Sequence, residues 1–303
     1  MNEVQVTSDK KFLTYESSGT LIAGRIRGVW RSLSKNPTSI VGLLIAILMI
    51  IVAIGAPVIS PYRYEEMDLV NRTQGPTRAH LLGTDHFGRD ILSRMIWGAR
   101  VSLLVGFAGI GIALTIGTVI GVWSGFFGGW FDEIMMRAMD IILSFPYIVL
   151  AVALIAMVGP SVRNVILVLA ITRTPRFARL VRASALTLKE FEFVTAARAI
   201  GQTNLGIIYR HILANCLTPI IVMGSLDTAT AIITESSLSF LGLGIQPPLP
   251  SWGNMIADGR RFLMDAPWIA TFPGLAISLT ILGFNLFGDG LRDILDPRLR
   301  GRE

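Results

Sequence analysis

At 303 residues, 52% of them hydrophobic and 16% charged, the chain is too apolar for an ordinary water-soluble domain. Its formal net charge of +6 comes mostly from arginine set between apolar blocks, where anionic lipid and the positive-inside rule favour it, so a nucleic-acid reader is set aside. A single cysteine, Cys216, leaves no disulfide framework or thiolate metal cage, and His80, His86 and His211 show neither an i,i+4 ligand pair nor an HExxH pattern, so core or solvated roles are expected and no metal or cofactor.

The apolar blocks predict an all-α membrane protein of about six transmembrane helices. Residues 1–39 read as a polar cytoplasmic tail carrying Lys10, Lys11, Arg25, Arg27, Arg31 and Lys35, and no cleavable signal is expected ahead of the first apolar run. Residues 40–59 form the first anchor, about the length that crosses ~30 Å of hydrocarbon at ~1.5 Å per residue. Residues 60–98 follow as an external loop with turn signals at Pro61, Gly75 and Pro76, ordered in part because it is rich in aromatic and apolar residues. Near its end, Asp85–Arg89 and Asp90–Arg94 have the i,i+4 spacing of an amphipathic helix leading into the second span.

Five helices are expected over 99–290. In the second span, about 101–126, Gly109, Ala113, Gly117, Gly121 and Gly125 recur every four residues and predict a ridge where another helix packs closely. A short polar turn over 128–140 leads to a third span, about 141–158, and Gly159-Pro160 turns the chain into a fourth, about 165–180. Pro146 and Pro175 are expected to kink or end those helices. The chain then turns basic, with Arg173, Arg176, Arg179, Arg182, Lys189, Arg198 and Arg210 against Glu190 and Glu192, the mark of the main cytoplasmic loop.

A fifth span over about 212–240 carries a polar stripe that includes Asp227, Thr230, Thr234 and Glu235. An acid at mid-membrane costs at least ~2.5 kcal/mol facing lipid. These residues therefore line a pathway or hydrogen-bond between helices. An outer segment, 242–267, precedes the sixth span at about 268–287, and a charged cytoplasmic tail closes the chain, its last part being 291–303.

Within the basic loop, 185–210, small Thr195, Ala196 and Ala197 follow Glu192 on a short helix that Gly201 ends, and a second short helix begins before Leu213. A helix-turn-helix held between two spans suits a groove on a soluble partner. This spacing resembles the EAA loop of binding-protein-dependent ABC importer permeases: alanines at 196 and 197, glycine at 201 and leucine at 213 match, whereas Thr195, His211 and Ala214 depart from the family's glutamate, isoleucine and proline. The chain is most similar to C-type permeases of dipeptide, oligopeptide and nickel importers. The resemblance rests on Leu82-Gly-Thr-Asp-His-Phe-Gly-Arg-Asp-Ile-Leu-Ser-Arg94, on Glu235-Ser-Ser-Leu-Ser-Phe-Leu-Gly-Leu-Gly244, Gln246-Pro-Pro248 and Trp252-Gly253, and on Gly288-Asp-Gly-Leu-Arg-Asp-Ile-Leu-Asp-Pro-Arg298.

That resemblance implies a type I importer permease fold, a heterodimer with a second related permease, two cytoplasmic ATPase subunits and an extracytoplasmic solute-binding protein, for which the 83–94 segment is an alternative dock. It implies a peptide substrate, with nickel or glutathione as alternatives. None of Lys10, Lys11, Lys35 and Lys189 follows a glycine, so a phosphate-binding GxxxxGK[ST] loop is missing and no catalytic residue is assigned. Two rival classes are an ion-coupled secondary transporter, with Asp227 and Glu235 as its candidate ligands, and a structural membrane scaffold.

Overall fold

The computed structural model describes residues 36–295; the expected tails over 1–35 and 296–303 lie outside the described residues. The described chain is helical, with ordered connecting loops. Helix α1, Pro37–Ile59, opens with proline in its first turn, where a missing N–H costs nothing, and buries Ser39, Gly42, Ala46, Ala53 and Ala56. Helix α2, Ile91–Phe127, has 37 residues, about 56 Å of helix, and so projects beyond the hydrocarbon. Asp90 caps it by accepting from Ser93 N at 2.8 Å, and Gly128, with φ +66°, ends it.

Helices α3, Gly129–Leu143, and α4, Tyr147–Val158, meet at 90° around Pro146. Helix α5 runs Val162–Leu188, capped by Ser161 and continuous through Pro175. A short α6, Glu192–Ala199, precedes α7, Asn204–Phe240, which contains one π turn at Ile208–Ile212. An outer helix α8, Trp252–Gly259, is followed by α9, Trp268–Leu295.

By length and apolarity, α1, α2, α7 and α9 each qualify as a membrane span, and the bent α3–α4 pair makes a fifth. The expected count of about six includes α5, which is long enough but carries Arg163, Arg173, Arg176, Arg179 and Arg182. Several local expectations are corrected. The polar stretch after Gly128 is helix, not a turn, because Trp130, Ile134 and Ile141 alternate with acids at helical spacing. Helix α2 starts at Ile91, inside the segment read as external loop, and residues 83–90 form no helix: Thr84 and Asp90 make an isolated antiparallel bridge, with Gly83 and Gly88 at positive φ. The outer segment contains α8, and the stretch from Gly288 continues as helix to Leu295.

The core is a set of helix-to-helix seams. Gly109, Ala113, Gly117, Gly121 and Gly125 lie along α5, where a Cβ on Gly117 would stand 2.6 Å from Phe177 Cβ, and one on Gly121 would stand 2.5 Å from the Ala178 carbonyl oxygen. One apolar cluster joins α2 to α4 and α5 through Val105, Ile110, Ile155 and Leu169. Another joins α1, α2, α7 and α9 through Ala46, Leu103, Ile232 and Phe284. Where α1 crosses α9, Gly42 lets the two backbones approach, a Cβ there falling 2.5 Å from Phe287 N.

Candidate functional site: an exposed loop and an arginine ladder

The segment between α5 and α7 is held to the bundle from one side. Val194 and Ala197 of α6 are buried with Val122, Phe126, Val181 and Ala185. Glu192 in its first turn and Arg198 in its last suit the helix dipole. The helix ends in a Schellman turn: Gly201 N donates to Arg198 O at 2.9 Å and Gln202 N to Ala197 O at 3.0 Å, with Gly201 at φ +80°. Thr203 caps the first turn of α7, and His211 meets Gln202 Oε1 at 3.1 Å, tying the turn to the base of that helix.

The other side of this segment is open. Glu192, Thr195, Ala196 and Gly201 are exposed, Ala197 is buried and Leu213 is half-buried. Around them stand Phe191, Phe193, Ile200, Leu205 and Tyr209, all exposed; Ile200 is 83% accessible. The capped turn thus presents large apolar side chains beside the basic Arg198 and Arg210.

The arginines of α5 are not loop charge. Arg173, Arg176, Arg179 and Arg182 climb the helix three residues apart and meet acids from neighbouring helices. Arg176 Nη1 lies 2.9 Å from Asp227 Oδ1 on α7, and Arg173 Nη1 lies 3.8 Å from the same oxygen. Arg179 pairs with Asp140 at 2.5 Å, and Arg182 grips Asp132 through Nε and Nη2, each at 2.6 Å. Asp132 and Asp140 lie eight residues apart, a little over two turns, so both fall on one side of α3. Arg173 also reaches Thr234 Oγ1 at 3.4 Å and sits over the Tyr147 ring at 4.5 Å.

The polar stripe of α7 divides. Asp227 and Thr234 turn to α5, while Thr230, half-buried, donates to Leu226 O within its own helix. Glu235 is fully enclosed on another side: it accepts from Ser102 of α2 at 2.9 Å, Ser239 at 2.8 Å and Ser236 at 3.4 Å. The α5 ladder escaped sequence reading because its charges were counted with the loop. The three-residue spacing is legible in the sequence but is interrupted by Pro175 between Arg173 and Arg176, and the acids that answer it lie on other helices.

Outside the bundle, Asp85 holds the 83–94 segment. It accepts from Phe87 N and Arg89 N, pairs with Arg89 Nε at 2.7 Å, and draws Arg94 Nε to 3.6 Å. The expected Asp85–Arg89 pair therefore exists in a turn. Arg94 turns to Asp85 instead of Asp90, because Asp90 is occupied by His80 at 3.0 Å and by Ser93.

Residues 117–301 match the family of the binding-protein-dependent transport system inner membrane component, and residues 24–76 match the N-terminal transmembrane domain of oligopeptide transport permease C. The dipeptide transport system permease protein DppC of Alkalihalophilus pseudofirmus is 48% identical over 274 residues, 90% of each chain. The glutathione transport system permease protein GsiD of Pectobacterium atrosepticum is 43% identical over 277 residues, 90% of this chain and 91% of its own. Among solved structures, the inward-facing MetNI methionine ABC transporter superposes with a TM-score of 0.52 at 19% identity, over 68% of this chain and 96% of that one, which shows the type I importer permease fold.

Proposed function

This chain belongs to the family of binding-protein-dependent transport system inner membrane components, and on that premise we propose that it supplies half of the translocation pathway of an ATP-driven importer for di- or oligopeptides. The peptide assignment is supported by relatives named for dipeptide and glutathione transport, glutathione being itself a small peptide.

The observation that carries the mechanism is the loop from Glu192 to Leu213, anchored on one side and apolar on the other. A soluble ATPase that seats on Ile200, Leu205 and Tyr209 would push on the base of α7 through the Gln202–His211 contact. Closure of two such ATPases would then move α7 and α5 as rigid rods and reverse the access of the pathway. The complex has this chain, a second related permease, two ATPases and an external binding protein, and this subunit carries out no catalytic step.

The α5–α7 seam is the pathway face of this subunit. The side chains of Arg176 and Arg179 are about half exposed, and guanidinium groups at such depth do not face lipid. Asp227, Thr230 and Thr234 border this face; Glu235 sits behind it. With the 189–203 loop on the cytoplasmic side, both ends of the chain are cytoplasmic, as the basic N-terminal segment requires. An ion-coupled transporter is not favoured, since Asp227 is already bound by arginine and Glu235 by serine hydroxyls.

The test is uptake of radiolabelled dialanine by proteoliposomes holding the whole complex with its binding protein. Uptake that requires ATP inside the cytoplasmic compartment supports the reading; uptake driven by a proton gradient without ATP overturns it.

A further inference from the structure

The ion ladder on α5 is balanced at two of its rungs and unbalanced at the third. Arg179 and Arg182 each have an aspartate of their own. Arg173 and Arg176 share one: both approach Asp227 Oδ1, leaving one positive charge in excess. The arrangement is also incomplete atom by atom. Arg173 and Asp227 have side chains only 3% exposed, yet among the described residues Arg173 Nε and Asp227 Oδ2 have no hydrogen-bond partner. Among the described residues no second acid pairs with either guanidinium.

The excess charge lies deep. Arg176 is about 21 Å along α5 from Val162, and Asp227 about 20 Å along α7 from Phe240, so the excess charge sits midway along both helices and far from their ends. An uncompensated charge at that depth is costly unless an anion or water reaches it. Arg176 is the rung that can be reached, its side chain being 50% exposed, whereas Arg173 is 3% exposed and packs over the Tyr147 ring.

We propose that Arg176, braced by Arg173 and Asp227, is the pathway's carboxylate-binding site, taking the free terminal carboxylate of a passing peptide. The inference deepens the importer reading and rests on it. A planar guanidinium with free N–H groups matches a carboxylate in geometry and charge, and the substrate's carboxylate restores one acid to each arginine. Because Asp227 already holds part of the positive charge, the site attracts the carboxylate without trapping it, which a conducting site requires.

The experiment uses the purified whole complex without its binding protein, and equilibrium binding of radiolabelled dialanine. Wild type is compared with Arg176→Gln, which leaves Arg173 and Asp227 as a balanced pair, and with Arg176→Lys, which keeps the charge and loses the fork. Expected are an affinity about tenfold weaker in Arg176→Gln, an intermediate value in Arg176→Lys, and weak competition by dialanine amide in wild type. Unchanged dialanine affinity in Arg176→Gln overturns the site. So does an Arg176→Gln complex that loses the second permease, which would make the missing counter-charge a carboxylate of that subunit. Dialanine uptake by wild-type proteoliposomes is measured in parallel: no uptake defeats the peptide reading and the carboxylate site with it, whereas normal uptake with unaltered Arg176→Gln binding defeats the site alone.

Discussion

Ser102 of α2 donates its hydroxyl to Oε2 of Glu235 on α7 across 2.9 Å, joining two helices through groups wholly shielded from solvent. Ser239 donates to the other carboxyl oxygen and also accepts from Ile245 N, so the same acid fixes the turn that leaves α7. Replacing Ser102 by alanine removes one of these donors without opening a route for water. The expected loss is about 1–3 kcal/mol, read as a lower thermal midpoint in detergent. An unchanged midpoint would mean that Ser239 and Ser236 suffice to satisfy the carboxyl group.

The α2–α5 seam gives a matched pair of substitutions. A Cβ on Gly121 would lie 2.5 Å from Ala178 O and 2.8 Å from Val181 Cβ, and the first of these is backbone that cannot turn aside. Gly121→Ala is therefore expected to cost about 1–3 kcal/mol by forcing the helices apart. Gly111, on the same helix, has nothing within 4 Å, so Gly111→Ala should leave the thermal midpoint unchanged or raise it slightly. Equal effects from the two would contradict the close-packed seam.

Ile200 is the most exposed large apolar side chain of the 192–213 loop, and among the described residues it belongs to no core cluster. Ile200→Asp should leave the thermal midpoint of the isolated subunit unchanged and weaken retention of the ATPase during size exclusion by about tenfold in affinity, as expected for a buried contact of an interface. Retention equal to wild type would move the contact to Phe191 and Phe193, at the other end of α6.

His86 supplies a pH dependence. Burial holds its pKa below the ordinary imidazole value, against the opposing pull of Asp85 and Asp258; Arg89 and Arg94 add to the lowering. Its ring stacks on Phe262 at 5.2 Å, and Nδ1 has no hydrogen-bond partner among the described residues. The folded outer segment therefore prefers the neutral ring, while the unfolded segment takes up a proton first as pH falls. Stability from this group is present above about pH 6.5 and is lost as pH drops from there towards the lowered folded pKa. Amide exchange in the 83–94 segment should quicken between pH 7.5 and 5.5 beyond its intrinsic pH trend, and His86→Phe should abolish that excess.

How much of this was legible in the sequence differs from element to element. The four-residue recurrence from Gly109 to Gly125 marked a helix face directly, because small residues at that period leave a groove whatever fills it. The Ala196–Gly201 spacing likewise encoded a helix and its stop, since a residue at φ +80° is nearly always glycine. The 83–90 segment misled, because Asp85 and Arg89 do pair at i,i+4, but in a turn whose backbone is set by Gly83 and Gly88. The arginines of α5 have the charge pattern of a cytoplasmic loop, yet they lie on a helix and pair with acids of neighbouring helices. Their partners Asp132, Asp140 and Asp227 lie at least 39 residues away in the chain, and no local pattern announces such pairs. Asp227 and Glu235 belong to one polar stripe in the sequence, yet each is claimed by a different neighbouring helix, which only tertiary packing decides.

The central claim is that this chain is a transport subunit driven by ATPases seated on its 192–213 loop. The most direct test is affinity purification of the chain from its native membrane with mass spectrometry of whatever accompanies it, comparing wild type with Gly201→Trp. No atom lies within 4 Å of a Cβ at Gly201, so tryptophan there projects into the docking surface, although the positive φ also strains the turn. The account predicts a second permease and ATPase subunits with the wild type, and loss of the ATPases but not of the second permease with Gly201→Trp. A wild-type chain that comes alone, or only with copies of itself, would contradict it.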